Sequence, residues 1–242
     1  MALGNVLRDR FDWREAEEAY QQALSIDSDH AEAHHQYGEM LIATGRIADA
    51  VRSLGRAAAL DPAPVRFNVL GFALASDDRE EEAIQSLERG ILLDPEINLI
   101  NLRGNLGLVH YDAQRYDMAY NVWATVPGAS EDMDPTWDDF VRLMEGGDLE
   151  AFSDEFKESL APGDMVHLGE LDRAANRLSN PPGANWVGNV YRVWHPVFDS
   201  IRDLPAMQEY LAERGLADVT AQRTPPGERQ TPAVLRNDEA GS

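Results

Sequence analysis

Four glycines, Gly4, Gly38, Gly71 and Gly107, recur at spacings of 34, 33 and 36 residues, and the twelfth position after each is an alanine (Ala16, Ala50, Ala83, Ala119). A large residue follows at a fixed offset in every copy, as Tyr20, Leu54, Leu87 and Trp123. Small residues come next at Ala23, Ala57 and Gly90, and Pro62 and Pro95 close two of the copies. A period of this length marks a chain of supersecondary units, none of which buries its apolar face alone, so about three or more must stack. Small residues at fixed sites on two helices let an antiparallel pair approach closely, and the spacing predicts that the large residue fills a gap on the neighbouring unit. Breakers such as "ATGR" and "ASDDRE" sit between the two helices, and proline ends the second one.

This set of residues resembles the tetratricopeptide repeat, a helix-turn-helix unit of about 34 residues. The resemblance covers residues 1–127 and implies four hairpins in a right-handed α-solenoid. The first copy begins inside its first helix, and the inner-turn glycine survives only as Gly45. In the fourth copy Pro127-Gly128 arrives early, which ends the regular array.

Beyond the array, "EDMDPTWDDF" reads as an acidic loop with Asp134 or Thr136 capping a helix to about Met144, and "GGDLEAFSDEFKESL" reads as a second short helix. Gly169, Ala174 and Leu178 repeat the spacing of Gly45, Ala50 and Leu54, so residues 128–180 are read as an acidic helical region holding a degenerate fifth repeat. In residues 181–220, Trp186, Val190, Val193 and Trp194 form a helical apolar stripe that Pro196 stops, because proline drives His195 out of the α region. A last helix is predicted from about Pro205 to Arg214, with Gly215 as its left-handed cap. The segment containing Pro196, Phe198, Arg202, Pro205, Gly215 and Leu216 is similar to the ends of repeat regions in some bacterial cyclases and transcription regulators, with Leu204 where those carry aspartate. The segment is expected to form a helical cap, in which Trp194 and Phe198 plug the open end of the superhelix and Arg202 and Asp203 pair or cap at its rim. Residues 221–242 are polar and proline-rich and read as a disordered or extended tail.

The formal charge is −22, which argues against a nucleic-acid partner. It is uneven: residues 1–127 carry −10, residues 128–172 carry −12 and residues 173–242 are neutral. With no cysteine there is no thiol nucleophile and no disulfide framework. No apolar run reaches the span of a bilayer, so a cytoplasmic location is the expectation.

Three chemical clusters compete with a binding reading. His30, His34 and His35 include an i, i+4 pair but lack a third ligand, so no metal is expected. The carboxylates of "EDMDPTWDD" lack the glycine and distant glutamate of a calcium loop. His195 with Asp199 or Asp203 has the residue types of an acid–base pair, yet no nucleophile or phosphate-binding glycine loop is spaced to serve it. Neither catalytic residues nor a cofactor are expected. The resemblance instead implies that first helices line a concave groove, whose exposed positions are Asn5, His35, Glu39, Asn68, Phe72, Asn101, Asn105, Leu108 and Tyr111. Asparagine amides donate to and accept from an extended backbone, and Phe72, Leu108 and Tyr111 offer apolar anchors. The expectation is therefore an all-α solenoid with a C-terminal helical cap, acting as a non-catalytic adaptor for a protein or extended peptide. The acidic block favours a basic partner. A regulatory module that self-associates into a homo-oligomer is the alternative, and an enzyme using His195 or the histidines at 30–35 is the third.

Overall fold

The computed structural model describes residues 1–94, 100–126, 162–179, 192–217 and 219–236, together with Arg142, Leu143, Asp148, Ala151–Ser153 and Leu160. Those residues form helices and no strand, and no helix is long and apolar enough to cross a membrane. Eight helices pair into four hairpins: α1 (Ala2–Asp9) with α2 (Trp13–Ile26), α3 (Ala31–Ala43) with α4 (Ile47–Leu60), α5 (Pro64–Ser76) with α6 (Glu80–Leu93), and α7 (Ile100–Asp112) with α8 (Tyr116–Trp123). Each first helix also packs against the preceding hairpin, which makes the set an α-solenoid. The predicted helices around 134–144 and 147–160 fall mostly outside the described residues, as does the Trp186–Val190 part of the apolar stripe.

The glycine of each unit exists because a large side chain of the same unit lies on it. A Cβ at Gly38 would come within 2.5 Å of Leu54 Cγ, one at Gly71 within 2.6 Å of Leu87 Cγ, and one at Gly4 within 2.8 Å of Tyr20 Cε1. This corrects the expectation that the large residue fills a gap on the neighbouring unit. The contact between units is made instead at the third small site, where a Cβ on Gly90 would meet Leu102 of the next hairpin as well as Phe67 of its own.

One turn geometry serves all four hairpins. Phe11, Gly45, Asp78 and Gln114 have φ of 63°, 71°, 56° and 58°. In each turn the next backbone N–H donates to the carbonyl five residues back: Asp12 to Leu7, Arg46 to Leu41, Arg79 to Leu74 and Arg115 to His110. These are Schellman closures, which satisfy carbonyls left over at the helix end. Three of the four left-handed residues are not glycine, and asparagine-like Asp78 tolerates the region best. The fifth unit repeats the arrangement. Gly169 has φ 80° and Glu170 N–H donates to Met165 O, joining α9 (Pro162–His167) to α10 (Leu171–Ser179). Ala174 and Leu178 are buried, as their equivalents Ala50 and Leu54 are.

The C-terminal region does not continue the stack. It folds back along the edge formed by the hairpin turns. Trp194 is fully buried, and its indole N–H donates to Ala43 O at the second turn, 2.9 Å away. Trp13 Nε1 donates to Arg214 O at the first turn. The plug thus seals the array's side rather than its open end. Arg202 donates to Val193 O and to Asp199, not Asp203, and lies over the Trp194 ring. His195 is extended (φ −66°, ψ 140°) ahead of a 3-10 segment at Pro196–Ile201, and α11 (Pro205–Ala212) ends at Gly215 with φ 67°.

Residues 219–236 form an ordered strap along the same edge. Gln222 exchanges two backbone hydrogen bonds with the second turn, N–H to Gly45 O and C=O from Ala48 N–H. At the third turn Thr224 N–H donates to the fully buried Asp77, and Arg223 bonds Ser76 O, Trp194 O and both oxygens of Asp199. Arg79 in return holds Gln230 O, Pro232 lies over Gly55, and Leu235 is buried against α4.

Candidate binding groove

The first helices α1, α3, α5 and α7 carry the groove positions that the sequence singled out. The position after each repeat glycine is the same in all four: Asn5, Glu39, Phe72 and Leu108. The chemistry changes along that row.

At the amino-terminal end the side chains are already engaged. Asn5 Oδ1 accepts from the Tyr20 hydroxyl at 2.8 Å. Arg8, 10% exposed, donates to Glu39 at 2.7 Å and to Gln36 at 2.8 Å. His35 is buried, and its Nε2 lies 3.9 Å from Glu39. Burial pushes the His35 imidazole below its usual range, against the pull of Glu39 and Glu32. His35 and Glu39 are therefore parts of a polar wall rather than open contacts. The other two histidines have separate tasks. His30 Nδ1 accepts from Ala33 N–H as the cap of α3, and His34 Nε2 sits 3.0 Å from Ser28 O. Among the described residues no three ligand-type side chains gather as a metal site would need.

The carboxy-terminal end differs. Asn105 donates to Asn68 at 2.9 Å, so the two amides brace α5 against α7 and each keeps one polar group for another partner. Phe72 is partly buried, with its ring 6.3 Å from that of His195, and Leu108 is 42% exposed. Tyr111 is buried, and its hydroxyl donates to Asp164 of α9 at 2.9 Å. Burial and the Asp164 carboxylate hold that phenol far above its ordinary range, so it stays protonated. Asn101 lies on α7; its side chain is outside the described residues. The cap covers this end of the face, and between them lies a cleft of about 120 Å³ bounded by Phe72, Leu108, Val109, Leu178, Val197 and Phe198.

Beside the cleft stands a group that spacing alone did not connect. His195 Nε2 is 3.5 Å from Asp112 Oδ2, and His167 Nε2 is 3.8 Å from Asp112 Oδ1. The partner of His195 is thus Asp112 of α7, not Asp199 or Asp203, because Asp199 is committed to Arg202 and Arg223. Burial lowers the His195 pKa while Asp112 pulls it upward. A signal for this group was present in the fifth-repeat alignment, which sets α9 beside α7 and brings His167 to Asp112.

The tetratricopeptide repeat family model matches residues 7–70. Among matching solved structures is one titled "Crystal structure of MamA", with 21% identity, a TM-score of 0.47, and coverage of 88% of this chain and 93% of that one. No curated protein matches the chain.

Proposed function

We propose that the chain works as a non-catalytic adaptor of the tetratricopeptide repeat kind, a reading supported by the family match over residues 7–70, and that it holds an extended segment of a partner protein at the carboxy-terminal half of its concave face. One observation carries the reading. Phe72 and Leu108 present apolar surface on adjacent first helices beside the Asn68–Asn105 amide pair, a combination that takes an apolar anchor and a neighbouring backbone together.

A basic partner segment fits the charge of residues 128–172, which would steer it with a strong salt dependence. The test is a phage-displayed peptide library selected on the full chain at low and high salt. We expect enrichment of sequences with a bulky apolar residue and Lys or Arg. The variant carrying Asn68→Ala, Phe72→Ala and Asn105→Ala together should lose that enrichment while far-UV circular dichroism shows unchanged helicity. Equal enrichment by both proteins would put the binding surface elsewhere.

A further inference from the structure

We propose that the seam between α7 and the cap is a two-part site for a ligand that joins one aromatic ring to a cation. This deepens, and rests on, the reading of the groove as a binding surface. The first part is the cleft of about 120 Å³, with Phe72, Leu108 and Val109 on the array side and Leu178, Val197 and Phe198 on the cap side. An apolar cavity of about 150 Å³ lined by similar side chains holds benzene, so this space suits one six-membered ring. Polar side chains at its border include Asn105, Asp164 and the exposed Arg192.

The second part is an adjoining recess of about 270 Å³ that shares Val109, Asp112, His195 and Val197 with the first. Its carboxylates are Asp78, Glu80 and Asp112. Glu80 is paired with Arg115. Asp112 is one-quarter exposed, and its contacts to His195 Nε2 at 3.5 Å and His167 Nε2 at 3.8 Å are longer than an ordinary hydrogen bond. A carboxylate at a seam, next to an apolar chamber and with only long contacts to two imidazoles, leaves room for a stronger donor from the ligand. An ammonium or guanidinium meets that need and the ring fills the chamber. The chemistry is shared by a free aralkylamine and by a phenylalanine beside a basic residue in a peptide.

Ligand-observed NMR titration of the full chain tests this with 2-phenylethylamine, phenylacetate and a capped Phe-Arg dipeptide amide. We expect the amine or the dipeptide to saturate, and phenylacetate to bind about tenfold or more weakly, as one opposed charge in a partly desolvated site implies. Binding by the dipeptide alone assigns the site to a partner protein, and binding by the amine assigns it to a small molecule as well. Asp112→Asn should erase the preference for the cation while benzyl alcohol still binds. Leu108→Trp, at an exposed position that tolerates the larger ring, should block every probe. Equal affinity for amine and acid, or probe binding unaffected by Leu108→Trp, overturns the proposal, and so does the absence of binding by both cationic probes. If both cationic probes fail while the phage library still enriches, only this inference falls; if the library fails too, the groove reading falls with it.

Discussion

Asn5 and Glu39 occupy the same repeat position as Phe72 and Leu108, and the two pairs meet opposite fates. The first pair is tied into polar contacts with Tyr20 and Arg8. The second borders a cleft that the cap roofs but does not fill. The backbone at all four positions is the same, because the glycine before each is pressed on a large residue of its own hairpin. What differs is the opposite wall. The fifth hairpin reaches α7 through Tyr111–Asp164 and His167, and the cap reaches it through His195 beside Asp112, whereas at the first two turns the carboxy-terminal region engages the edge through Trp13 and Trp194. A solenoid thus gains a local chamber without altering its repeat, by folding its own carboxy-terminal region back across part of one side.

The sharpest way to break this contrast is Trp194→Ala. Trp194 is wholly buried, and its indole N–H supplies the cap's bond to Ala43 O. Truncating a core tryptophan costs about 3–5 kcal/mol. Urea denaturation should show that loss, and amide hydrogen exchange should rise first in residues 192–212 and at the second turn around Ala43 and Gly45, rather than in α1. Uniform loosening of both ends would mean that the two halves are not separate in energy. A smaller effect comes from the other end. Arg8→Met removes the donor to Glu39 and Gln36 and leaves Glu39, 20% exposed, short of its cation. A hydrogen bond to a charged group contributes about 1.5–3 kcal/mol, and partial exposure puts this one at the low end. Thermal denaturation should register the loss while ring-probe binding at the cap stays as in the parent chain.

The solenoid was readable because its contacts are periodic. Gly38 with Leu54 and Gly71 with Leu87 are one interaction written repeatedly, and repetition turns a weak local pattern into a strong one. The fifth hairpin could be read for the same reason, through Gly169, Ala174 and Leu178. The docking of the cap is not periodic. It hangs on single backbone acceptors such as Ala43 O, Gly45 O and Arg214 O, which leave no mark in residue type. The asparagines show how one residue type can serve two tasks. An amide suited to a peptide backbone is equally suited to another amide, and Asn68 and Asn105 use each other. For His195, proximity in sequence offers Asp199 or Asp203 as a partner, while the carboxylate that faces its Nε2 belongs to α7.

The mildest test compares the two halves through their histidines. His35 at the amino-terminal end and His195 at the cap both have pKa values pushed below the ordinary range, chiefly by burial. The unfolded chain protonates these groups near pH 6.5, and the folded chain resists until a lower pH. Below about pH 6.5 the unfolded state therefore binds more protons, and each histidine subtracts stability at a rate of at most about 1.4 kcal/mol per pH unit. Stability from this source is complete at neutral pH and is lost as pH falls through the window between the two pKa values. Urea midpoints at pH 7.5 and 5.5 should drop less in His35→Gln and in His195→Gln than in the parent chain. If acid weakens the cap before the array, hydrogen exchange at pH 5.5 will rise around residues 192–201 in the parent and in His35→Gln, but not in His195→Gln. A rise in α3 that follows His35 instead would mean that the polar end of the groove, not the roofed end, yields first to acid.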